Sequence, residues 1–201
     1  MNINRYRFYR EHKFVSFKLF ELEKLIAKSN FKLNKDIEII KQSLLQLADL
    51  MNNHAAFEDK AIHTLLRQKG STVHEKIEEE HQHHHQQYNA LKDHLEAILL
   101  CDENEREAQG HQFYLNYRLF VAENLIHLHQ EETLIMPELQ RLYSDEELRL
   151  VEFNTFHHMT PEHMAEMIAT LAQHINPSDL VFFLNEMKTA EPDKFLASGL
   201  S

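Results

Sequence analysis

Turn-forming residues are scarce in this sequence, with 3 glycines and 4 prolines among 201 residues. Average usage of ~7% glycine and ~5% proline would give roughly 24. A sandwich or barrel needs such residues every few positions, so an all-β fold is nearly excluded. Cysteine occurs once, at Cys101, which rules out a disulfide framework and any multi-cysteine metal site. No apolar run approaches the ~18 residues of a membrane span, and Met1–Arg10 lacks the pattern of a secretory signal. The expectation is a cytoplasmic protein with no membrane contact. Basic residues are also in deficit: 21 Lys and Arg stand against 32 Asp and Glu, for a net charge of −11. No basic surplus exists to neutralise phosphates, so a nucleic-acid partner is not expected. Histidine, in contrast, is plentiful, at 16 of 201 residues.

Apolar periodicity predicts four long helical segments: about Arg5–Lys28, Asn34–Lys69, a third ending near Leu100, and about Glu105–Tyr143. Asn34 is a candidate N-cap, Gly70 a stop, and Ser71-Thr72 with Glu75 a capping box for the third segment. Connections this short make neighbouring helices antiparallel, so the expected fold is all-α: an up-down four-helix bundle. A second capping box, Ser144 with Glu147, opens a stretch punctuated by Pro161, Pro177 and Pro192. Residues 1–143 are therefore read as the bundle, and 144–201 as a helical extension packed on it. His81–Gln87 is the one compositionally biased tract, and it falls inside a helical pattern.

A four-helix bundle buries positions spaced alternately three and four residues apart. In the first segment that seam runs Phe8, His12, Val15, Leu19, Leu22, Ile26. In the second it runs Leu44, Leu47, Met51, His54, Glu58, Ala61, Leu65. The third gives Ile77, His81, His84, Tyr88, Leu91, and the fourth Phe120, Asn124, His127, Glu131, Leu134. Each helix thus carries histidine in its buried stripe, and two carry glutamate one turn later. Buried carboxylates and imidazoles are costly unless something neutralises and bonds them, and a metal ion does both. His54-x3-Glu58 and His127-x3-Glu131 also repeat each other, each preceded by a lone seam histidine, His12 or His81. Mixed imidazole and carboxylate donors suit a pair of iron ions, or manganese or zinc, better than calcium or magnesium.

On these residues the sequence resembles the hemerythrin-like family with its His-His-Glu cation-binding repeat, over about residues 8–143. The resemblance implies a core that holds a non-haem di-iron centre, with an oxo or hydroxo bridge between the ions. It assigns His12, His54, Glu58, His81, His127 and Glu131 as metal ligands. Oxygen-carrying members have a further histidine one turn after the third-helix ligand, where His85 stands here. They place the fourth-helix carboxylate five residues after its histidine, where Glu132 stands. Seam counting mildly favours Glu131, and both alternatives stay open, as do His84 and His85 as competitors of His81.

Outer acceptors for the ligand rings are sought at Glu78, Asp59 and Glu132, because a ligating imidazole normally donates its other nitrogen. His63, His74, His94, His111 and His129 read as surface or boundary residues. His157, His158 and His163 cluster in the tail as a weaker accessory site. Phe57, Phe113, Phe120 and Leu134 are expected to line the centre. The function expected first is binding of dioxygen, nitric oxide or a peroxide, for sensing, storage or stress response. An oxidase or peroxidase is the enzymatic alternative. A role in repairing iron centres ranks lower, since repair members carry a cysteine-containing N-terminal domain that is not seen here. Iron or zinc buffering through His81–His85 is the third reading, and a homodimer or an unidentified protein partner stays open.

Overall fold

Helices account for all regular structure in the computed structural model, which describes Asn2 and residues 4–200; no strand occurs among them. The helices are α1 (His12–Lys28), α2 (Asn34–Phe57), α3 (His63–Gln68), α4 (Glu75–Leu100) and α5 (Glu103–Gln130). After them come α6 (Met136–Leu142), α7 (Asp145–His158), α8 (Pro161–Leu171), α9 (Pro177–Ala190) and α10 (Pro192–Ala197). Two π-helical turns, Glu58–Ile62 and Glu131–Ile135, interrupt what periodicity alone reads as continuous helices. No helix among the described residues is long and apolar enough to cross a membrane.

Some local signals act as expected and others do not. Ser144 accepts from the Glu147 backbone N–H while Glu147 reaches back, the reciprocal pair that starts α7. Proline opens α8, α9 and α10, where its missing N–H has no intrahelical partner to lose. The expected Ser71–Glu75 box does not form: His74 precedes α4, with no side-chain cap bond. Asn34 is the first residue of α2 rather than its cap, and its side chain accepts from Arg106 Nη1 instead. The first helix begins at His12, later than the apolar pattern suggests.

Contacts group the chain into two compact units, Val15–Glu131 and Met1–Phe14 with Glu132–Ser201. In the first, α4 packs on α5 and on α2. Leu19, Ile40, Leu44, Leu95, Phe113 and Tyr117 are at its core. The buried Tyr117 hydroxyl donates to the Leu19 carbonyl at 2.9 Å, giving its one polar atom a partner. In the second unit, Phe156, Met164, Ile168, Phe183 and Met187 bring α7, α8 and α9 together. Buried Asp179 is neutralised there by Arg7 at 3.2 Å, Arg10 at 3.3 Å and Lys13.

Each π turn displaces the buried stripe by one position. The seam predicted Ala61 and Leu65 after Glu58, yet Ile62 and Leu66 are the residues at 1% and 0% exposure. Past Glu131 the same thing happens. Leu134, expected in the lining of the centre, is 51% exposed, while Ile135 and Leu139 are fully buried. A π turn accommodates one extra residue within a helix, so every later side chain rotates by about 100° and its neighbour takes the buried place.

Candidate metal centre

Both π turns begin on a glutamate. Glu58 and Glu131 are each 0% exposed, and each lies one helical turn after a histidine, His54 or His127. Such i,i+4 spacing on an α-helix puts ring and carboxylate on the same face. His54 Nε2 is accordingly 3.3 Å from Glu58 Oε1, and His127 Nε2 is 3.1 Å from Glu131 Oε1. His81, from α4, reaches both carboxylates, with its Nε2 3.4 Å from Glu58 Oε2 and 3.7 Å from Glu131 Oε1. Donor atoms of Glu58, His81, His127 and Glu131 all lie within 4.8 Å of one another.

These separations test whether the residues fit a metal. Two donors about 2.1 Å from one ion lie roughly 3.0 Å apart at an octahedral angle and roughly 3.4 Å apart at a tetrahedral one. Three of the four imidazole–carboxylate distances fall in that range, and the fourth needs only a small movement. The donor set is also consistent in orientation. His81 Nδ1 donates to Asp59 Oδ1 at 3.1 Å, and His127 Nδ1 donates to Glu80 Oε2 at 2.9 Å. With Nδ1 engaged outward, Nε2 of each ring is left facing the buried carboxylates, as in metal-ligating histidines. The residues fit.

The other expected ligands are placed as follows. His12 belongs to the second unit, is 3% exposed, and donates from Nδ1 to Glu132 Oε1 at 3.0 Å. Its ring lies 4.7 Å from that of Tyr9, whose φ of 71° is unusual for a residue with a side chain. Glu132 thus acts as an outer acceptor for His12, and its side chain is 37% exposed. His85 is exposed, whereas His84 is buried, edge-on to both His127 and Phe120. Burial, together with the neighbouring charges of His127 and His81, pushes the His84 ring down to about 4, so it is neutral at physiological pH.

The outer partners match the sequence expectation in part. Asp59 and Glu132 act as expected, but Glu80 rather than Glu78 serves His127, and Glu78 turns toward His63. His63 and His74, read as surface or boundary residues, are buried at 0% and 5% exposure. The π turn just before His63 accounts for the first of these, because it rotates the helix that follows. His157, His158 and His163 are exposed, and His157 pairs with Glu191 at 2.6 Å. Cys101 Sγ donates to the Ile98 carbonyl, an ordinary helix-end contact.

A cavity of ≈ 40 Å³ abuts the group, lined by Leu47, Met51 and Phe120 and by edges of His54, His81 and His127. Asn124 also lines it. Its amide nitrogen donates to the Phe120 carbonyl at 2.7 Å, and its buried Oδ1 has no hydrogen-bond partner among the described residues. Each ordered water needs at least ~10–15 Å³ measured this way, so the space suits one or two small molecules.

Burial opposes charge on His81, but hydrogen bonds to Glu131 and Glu58 prevail and push its ring up to about 10. His127 is raised as well: burial again disfavours its charge, and its bonds to Glu131 and Glu80 outweigh that. A metal ion must displace the proton on a ligand nitrogen. Loading the metal-free protein at pH 7 should therefore release about one proton per chain from His81, with a further contribution from His127. A pH indicator in weakly buffered solution measures this, and loading without proton release would show that the metal displaces no proton from His81. The chain matches no protein-family model, no curated protein and no solved structure.

Proposed function

We propose that this is a hemerythrin-like protein, with an antiparallel four-helix bundle that holds two non-haem iron ions and binds dioxygen, nitric oxide or a peroxide. The observation that carries this reading is the pair of fully buried glutamates, each set between imidazole Nε2 atoms, with three of the four separations at coordination spacing. His54, Glu58, His81, His127 and Glu131 would hold the metal. Manganese or zinc also accords with this donor set. Bound iron would supply an exchangeable position and the electron or electrons that a small oxidant or gas requires.

The chain's own residues do the rest. Glu58 offers its two oxygens to two different imidazoles, as a bridging carboxylate does. Asp59 and Glu80 orient His81 and His127 and raise the basicity of their inward nitrogens. Leu47, Met51 and Phe120 keep the adjoining cavity apolar, which favours a small gas over water. Asn124 Oδ1 is placed to accept from a ligand that carries an O–H. A role in sensing, storage or stress response in the cytoplasm accords with the single cysteine.

The test is metal content with an absorption spectrum, before and after azide or nitric oxide. Two metals per chain and a spectral change with either ligand are expected, and His84→Ala should leave that change nearly intact. One metal per chain with no response to either ligand would overturn the di-iron reading. Variable stoichiometry that collapses when His83, His84 and His85 are replaced together would indicate a histidine-tract buffer instead.

A further inference from the structure

A second constellation lies beside the buried group and shares one residue with its outer shell. His63 is 0% exposed, and its Nδ1 stands 3.0 Å from Asp59 Oδ1 and 3.2 Å from Glu78 Oε1. All three donor atoms lie within 4.8 Å of one another. An imidazole Nδ1 carries either one hydrogen or one lone pair. With a hydrogen it bonds Glu78 and has no bond left for Asp59 3.0 Å away, and with a lone pair it faces both anions unfavourably. The other ring nitrogen, Nε2, is buried without a hydrogen-bond partner among the described residues. One cation at the meeting point would satisfy the imidazole and both carboxylates together. The spacings of 3.0 and 3.2 Å match donors that share an ion at bond lengths of about 2.1 Å.

We propose that Asp59, His63 and Glu78 form an outer site for a divalent transition-metal ion. Imidazole with two carboxylates selects zinc, iron(II) or manganese over the alkaline earths. The carboxylates face solvent, with Asp59 45% and Glu78 31% exposed at the side chain, so an ion can arrive from outside. Arg67 holds the place of a competing cation. Its Nη1 pairs with the same Glu78 oxygen, and its Nη2 donates to the Asp59 carbonyl at 2.7 Å. His74 Nε2 approaches that Glu78 oxygen from 4.0 Å. Because Arg67 is 45% exposed, its ion pair is of the weak, displaceable kind. The outer site is therefore expected to bind less tightly than the buried group. Asp59 Oδ1 also accepts from His81 Nδ1, so one carboxylate connects the two sites. That connection makes the outer site a reception point for metal on its way inward, a role that rests on the metal-centre reading above.

The experiment is a Zn²⁺ titration by calorimetry of the full chain, with metal content checked after gel filtration. Wild-type protein whose buried group is already loaded should bind one further, weaker Zn²⁺. Glu78→Gln should weaken that binding by about tenfold or more while leaving the buried metal in place. Arg67→Gln should tighten it by about threefold, since the competing cation is gone. In Glu131→Ala protein, where the buried group is disabled, one ion sensitive to Glu78→Gln should remain. The proposal is overturned if loaded wild type takes up no further ion, or if Glu78→Gln and Arg67→Gln leave its affinity unchanged. Loading kinetics test the reception role: Glu78→Gln should fill the buried group more slowly but to the same final content, and an unchanged rate would remove that role. If metal binds only at the Glu78-dependent site, the outer site stands and the buried-centre reading fails.

Discussion

Replacing either Glu58 or Glu131 by alanine should strip most of the bound metal from the protein, whereas Glu132→Ala should leave most of it in place. Glu58 and Glu131 are fully buried, and each meets two imidazole nitrogens, so removing one takes away the charge and the oxygens that would hold metal. The rings left behind would then have one buried carboxylate between them instead of two. Glu132 is partly exposed and touches His12 only at its outward nitrogen. Loss of such an outer partner usually costs about 10–100-fold in affinity, which saturating metal masks. Metal analysis after gel filtration decides the matter, with far-ultraviolet circular dichroism to confirm that each variant folds. Glu58→Gln and Glu131→Gln keep the volume, so metal loss in these as well would separate a ligand effect from a packing effect. If Glu132→Ala empties the site while Glu131→Ala does not, the fourth-helix carboxylate has been assigned one residue too early.

Metal should also raise the melting temperature substantially. An ion that binds only the folded chain stabilises it by about 4 kcal/mol when present at roughly 1,000 times its dissociation constant. For a chain of this size about 1 kcal/mol moves the midpoint by roughly 2–4 °C, so the shift should be about 8–16 °C for one such ion. Calorimetry of metal-free and iron-saturated protein measures it, and equal midpoints would mean that no core centre forms.

The size of the gap should depend on pH. In the metal-free chain the His81 ring is raised from 6.5 to about 10, chiefly by Glu131 and Glu58 working against burial. A raised pKa contributes stability that is complete below 6.5 and is lost as pH climbs through about 10. The metal-free midpoint should therefore fall over that window. The loaded protein, whose ligand rings carry no such proton, should not follow it. Toward acid the order reverses, because protons compete for the ligand nitrogens and the metal is released.

Much of the candidate centre is legible along the chain because helical periodicity is a one-dimensional signal. His54 with Glu58 and His127 with Glu131 sit at i,i+4, and that spacing alone places each pair on one face of an α-helix. The buried stripe containing them follows from the apolar residues above and below, such as Leu44 and Leu47 or Tyr117 and Phe120. The scarcity of glycine and proline likewise settles the helical class.

What the tertiary structure alone decided lies where one helix meets another or departs from its own period. The π turns at Glu58 and Glu131 insert a residue into the helical repeat, and local propensity carries no mark of that insertion. Its trace is the exchange of Ala61 for Ile62 and of Leu134 for Ile135 in the buried stripe. Glu78, Glu79 and Glu80 are chemically equivalent in sequence. Which of them serves His127 and which serves His63 depends on how α4 packs beside its neighbours, since one residue along a helix turns a side chain by about 100°. His63 and its two carboxylates span 19 residues, from Asp59 to Glu78, joined through a turn and two helices. Periodicity determines which face a residue occupies, but only the packing of helices determines what that face meets.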